Sequence, residues 1–102
     1  MRARLVALPL LTSLLLVALV ITGCGRRATH ADCQLIVDRS VELQMRGANE
    51  TDPKAIAKRE ESVRAELDGE IITCERERRV TDNMMACVQS ASTTAELEKC
   101  LK

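Results

Sequence analysis

The front of the chain constrains it most. Met1-Arg2-Ala3-Arg4 leads into an apolar run from Leu5 to Ile21, interrupted only by Pro9, Thr12 and Ser13. A basic start, an apolar middle and the small Gly23 have the order and proportions of a secretory signal, with Arg2 and Arg4 held on the cytoplasmic side. The rival reading is an uncleaved membrane helix, but from Leu5 to Thr22 the run is about 18 residues, at the short end of what spans a bilayer. Under either reading roughly 80 residues remain to fold in water, enough for one small domain. The chain has no Phe, Tyr or Trp, so the large side chains that usually stabilise a small core are missing. Cross-links are the natural compensation in so small a domain, and the chain carries five cysteines.

Ile21-Thr22-Gly23-Cys24 resembles the lipobox of bacterial lipoproteins, with Ile and Thr where Leu and Ala or Ser are commoner. The resemblance implies diacylglycerol on the Cys24 sulfur, cleavage before Cys24, and a further acyl chain on the new amino terminus. Two or three acyl chains meet the requirement for stable anchoring, which one chain alone does not. It also implies an outer-membrane address, since Gly25 stands where an Asp favours inner-membrane retention. On this reading residues 1–23 are a signal peptide, 24–31 a lipidated tether and 32–102 a helical, disulfide-bonded domain.

Lipidation takes Cys24 out of the count and leaves Cys33, Cys74, Cys87 and Cys100, an even set in an oxidising compartment. A four-thiolate zinc site is the rival, but no C-x-x-C occurs anywhere. The spacing leaves two pairings open for Cys87, which flanks a turn near Val80 with Cys74 and a turn near Thr93 with Cys100. An antiparallel hairpin of the first two helices brings the start of one toward the end of the other. That favours Cys33–Cys74 with Cys87–Cys100.

Periodicity predicts an all-α bundle of three to four helices. Asp32 can cap a first helix from about Cys33 to Arg46, whose apolar face is Cys33, Ile36, Val37, Val41 and Met45, with Gly47 ending it. Asp52-Pro53 reads as an N-cap and first helical residue, opening a long helix to about Arg79 with Ile56, Val63, Leu67, Ile71 and Cys74 on one stripe. Glu60 and Arg64 make an i,i+4 pair on its charged side, and Gly69 marks a bend or a close crossing. Thr81 caps a third helix, with Val80 and Met85 placed as a hydrophobic staple. Met84 and Met85 read as core in preference to a docking surface. Thr93 with Glu96 has the form of a capping box before a last short helix carrying Leu97, Cys100 and Leu101.

The tail Cys87-Val88-Gln89-Ser90-Ala91 and Glu96-Leu97-Glu98-Lys99-Cys100, with Cys33 and Cys74 upstream, is similar to small cysteine-containing lipoproteins encoded in myxobacterial genomes. That resemblance implies no particular activity.

Charge and composition narrow the function classes. Basic and acidic residues balance over the whole chain, and without Arg2 and Arg4 the net charge is about −2, too small a field to attract nucleic acid. The missing aromatics also remove the stacking platforms of single-strand binders. An enzyme is disfavoured: Ser40, Ser62, Ser90 and Ser92 have no His near them in sequence, and Glu60-Glu61 and Glu75 with Glu77 sit in alternating charge, which reads as helix surface. His30, the single histidine, lies in the tether, where Arg26 and Arg27 can reach anionic headgroups. No catalytic residue, metal or cofactor is implied. The expectation is a lipid-anchored envelope protein acting as a non-enzymatic interaction or structural module, with the membrane and an envelope protein as partners. The alternative is an inhibitor or immunity-type lipoprotein directed at an envelope enzyme or toxin.

Overall fold

The computed structural model describes residues 25–102. The apolar run and Cys24 lie outside the described residues, and so do the signal-peptide and lipidation readings. The described chain is mainly helical, in the order β1 (Arg26–Arg27), α1 (His30–Gly47), α2 (Pro53–Glu66), α3 (Asp68–Glu77), β2 (Arg79–Val80), α4 (Asp82–Ser90) and α5 (Thr94–Cys100). None of these helices is long and apolar enough to cross a membrane.

α1 starts earlier than expected. Thr29 is its N-cap, accepting the Asp32 N–H at 3.1 Å while the Asp32 carboxylate accepts the Thr29 N–H at 2.9 Å. Asp32 is therefore the third helical residue of a reciprocal capping box, and two orphan donors are satisfied at once. At the other end the chain turns through Asn49 at φ 65°, a left-handed conformation that asparagine tolerates, and Asn49 and Glu50 donate to the carbonyls of Arg46 and Met45. Asp52 caps α2, accepting from the Lys54 N–H at 3.2 Å, with Pro53 at the first position.

The long second helix expected from Pro53 is broken at Leu67, which has φ −100° and ψ 20° and offers no side-chain cap to α3. Gly69, a poor helix former, lies two residues beyond the break. A Cβ built on Gly69 would meet nothing within 4 Å, so this glycine goes with the bend and not with a close helix crossing. Thr81 caps α4 through the Met84 N–H at 3.0 Å, and Val80 and Met85 share one core cluster as the staple requires. Thr93 accepts from the Glu96 N–H at 3.1 Å, but the Glu96 carboxylate reaches the Ser92 N–H at 2.7 Å, one residue past the usual partner in a capping box.

The core has two centres. Ala28, Cys33, Ile71, Val80 and Met85 form one; Leu43, Val88, Ala91 and Leu97 form the other, and Leu35 and Ile36 of α1 touch both. α1 is thus the spine against which the remaining helices pack. Met85 is buried and Met84 half-buried, as core residues. The disulfides are Cys33–Cys74 and Cys87–Cys100, with Cα–Cα distances of 6.1 and 5.6 Å, and the hairpin pairing is the one that forms. By loop-closure entropy they contribute about 4 and about 3 kcal/mol respectively. That is a large share of what so small a domain can gather.

Candidate functional site

The segment next to Cys24 reads from sequence as a solvated tether, yet it is folded from Gly25 onward. β1 pairs antiparallel with β2, Arg26 opposite Val80 and Arg27 opposite Arg79, and the Ala28 N–H continues the ladder to the Arg78 carbonyl at 3.0 Å. Ala28 is buried. Gly25 has φ 84°, and a Cβ there would fall 2.8 Å from the Val80 carbonyl oxygen, so only glycine fits. Sequence offers no warning of this ribbon, because two-residue strands have no periodicity and their partners lie more than fifty positions apart. Closure of Cys33–Cys74 places β2 within reach of β1.

Arg26 is the electrostatic knot of this end. Its guanidinium donates to Asp32 Oδ2 at 2.6 Å and to Asp82 Oδ1 at 3.3 Å, joining the ribbon to the first turns of α1 and α4. The Arg26 bond, with the Thr29 N–H adding to it and partial burial opposing, lowers the Asp32 carboxyl to about 2. His30 Nδ1 lies 2.7 Å from Glu75 Oε1, linking the start of α1 to α3.

At the other end of α1 the polar groups do different work. Arg39 donates to Glu42 at 2.6 Å and to the carbonyls of Val88 and Ala91, placing a cation on the C-terminal end of α4, where the helix dipole favours one. The Arg39 bond lowers the Glu42 carboxyl, with Arg46 assisting. Arg64 donates to Asp38 at 2.7 Å, while its expected partner Glu60 stands off at 4.0 Å. Burial first, then repulsion from Asp38 and Glu42, raise the Glu60 carboxyl. Between α1 and α2 lies an open groove of about 370 Å³ walled by Val37, Val41, Met45, Arg59 and Val63.

These placements sort the expected sites. Cys33, Cys74, Cys87 and Cys100 are all consumed in disulfides. Ser90 donates to its own helix at the Ala86 carbonyl, 3.0 Å away. Among the described residues no group of three His, Cys, Asp or Glu side chains converges on a point that could hold a metal ion. Three features escaped sequence reading: the Thr29 cap, for which the T-x-x-D spacing was an available signal, the Arg39 contact with α4, and the Arg27–Arg79 juxtaposition. No protein-family model, curated protein or solved structure matches the chain significantly.

Proposed function

We propose that the chain is a lipid-anchored envelope protein, tethered through Cys24 and acting as a non-enzymatic interaction or structural module. The single observation that carries this reading is a disulfide-stapled helical domain in which Gly25, the residue next to the lipobox cysteine, is already packed against the Val80 carbonyl. Disulfides persist in oxidising compartments, which agrees with export. The titratable groups support a structural assignment: Asp32, Asp38 and Glu42 are engaged by arginines, and His30 by Glu75. The location that follows is the outer membrane, facing the periplasm or the cell surface.

The test is the mass of the N-terminal peptide from protein made in a bacterial host. Loss of residues 1–23 together with a diacylglyceryl mass on Cys24 is the expected result. An intact apolar run with a free Cys24 thiol would overturn the anchor. The module assignment is tested by in-cell crosslinking from exposed positions of α2, such as Lys58 and Glu61. Capture of one dominant envelope protein, lost in Cys74→Ser, is expected, and capture of none would count against it.

A further inference from the structure

We infer that the outward face of the β1–β2 ribbon, formed by Arg27 and Arg79, binds the phosphates of anionic lipid headgroups and holds the domain against the bilayer in a fixed orientation. The inference rests on the anchor at Cys24 and adds to it a second, electrostatic contact.

In an antiparallel pair, residues directly opposite share a face and successive residues alternate faces. Arg26 and Val80 lie on one face of the ribbon, where Val80, only 1% exposed, packs into the core and Arg26 reaches Asp32 and Asp82. Arg27 and Arg79 lie on the other, and both are exposed. Two cations placed directly opposite repel, a cost that a fold ordinarily relieves with a carboxylate. Among the described residues neither arginine makes an ion pair. Of the acids on the neighbouring helices, Asp32 and Asp82 pair with Arg26, and Glu75 lies against His30. Arg78, next to Arg79, turns toward the Leu101 carbonyl at 3.5 Å. The ribbon therefore presents two exposed guanidiniums with no ion-pair partner among the described residues, and their planar forks suit phosphate oxygens.

Position supplies the occupant. Gly25 is locked against the Val80 carbonyl, and the Cα of Cys24 is only about 3.8 Å from that of Gly25. Three residues of chain span at most about 10 Å, so Arg27 lies within that distance of the acylated residue. An acyl chain on Cys24 puts that residue at the headgroup layer, so phosphates lie within the reach of Arg27 and of Arg79 beside it. The Arg26 side chain, tied to Asp32 and Asp82, is not the headgroup contact.

The experiment uses the full chain purified from membranes and reconstituted in vesicles of phosphatidylcholine alone or mixed with phosphatidylglycerol. Arginines are modified with phenylglyoxal and quantified by mass spectrometry. Arg27 and Arg79 should react about 5-fold more slowly on the anionic vesicles, a protection lost in molar salt, while Arg46 and Arg59 react equally on both. Equal rates for Arg27 and Arg79 on the two vesicles at low salt, with the protein still floating with the lipid, would overturn the inference. So would equal protection by free glycerol phosphate on phosphatidylcholine, which would assign the pair to a soluble phosphate. Arg27→Glu provides a second arm: it places opposite charges across the ribbon, so the domain should melt no lower while Arg79 loses its protection. Retained protection of Arg79 in that variant would also defeat the proposal. An unacylated Cys24 peptide would sink the anchor alone, because the vesicle comparison reports on the arginines whatever holds the chain to the lipid.

Discussion

The two ends of the molecule are stabilised differently. At the ribbon end, a disulfide, a capping box, a cross-strand ladder and the Arg26 knot converge on one buried cluster. At the far end, α2 contributes Ile56 as its one buried residue among those described, faces α1 across an open groove, and carries Glu60 among other acids. The lesson concerns where a small domain without aromatic side chains can be firm. Covalent and polar constraints have to substitute for packed area, and here one disulfide ties α1 to α3 and the other ties α4 to α5, leaving α2, which carries neither, the softer part.

Removing the Cys33–Cys74 bond should break this contrast most severely. The Cys33→Ser, Cys74→Ser variant is expected to lose about 4 kcal/mol and to be largely unfolded at 37 °C. Far-UV circular dichroism is the suitable probe, since the chain has no tryptophan or tyrosine to report tertiary packing. Next come two identical truncations on the two sides. Ile71→Ala should cost about 4 kcal/mol and Ile56→Ala about 2 kcal/mol in urea unfolding, because the α2 arm can collapse on the smaller side chain while the cluster under the ribbon cannot. Equal costs would mean that the arm is as tightly packed as the ribbon end.

Acid titration sharpens the comparison, because Asp32 at the ribbon end and Glu60 on α2 respond with opposite sign. Asp32 is held at about 2 in the folded chain, below its ordinary value of 3.8. Its contribution is therefore complete above about pH 4 and is lost as the pH falls toward 2; after allowance for solvent screening it amounts to about 1 kcal/mol, and Asp32→Asn should abolish that part of the acid transition. The raised Glu60 carboxyl binds its proton more tightly in the folded chain, so its ionisation removes stability as the pH rises through its folded value. Glu60→Gln should stabilise the domain at neutral pH by no more than about 0.5 kcal/mol, the smallest effect of the set, measured as a shift in the urea midpoint.

What sequence could and could not reveal follows the same division. The stripe through Ile56, Ile71 and Cys74, the Thr81 and Thr93 caps and the cysteine pairing were readable because each depends on periodicity or on a local three-residue spacing. The break at Leu67 was only hinted at by Gly69, because the charged face continues across it. Thr29 was missed in favour of Asp32, although the two are halves of one capping box. The Arg27–Arg79 juxtaposition and the Arg39 contact with the end of α4 were invisible, because both are products of tertiary closure, and a charge run in sequence resembles any solvated face.

The order of the disulfides has a consequence for how the chain is made. Four thiols can pair in three ways, and here the first pairs with the second and the third with the fourth. Neither loop encloses or crosses the other. A chain threaded through a pore from its amino end and oxidised as it emerges would close each native bond before the thiols of the next arrive, with no reshuffling. Cys24, ahead of them all, is the thiol that would spoil this sequence, and acylation would remove it from the competition.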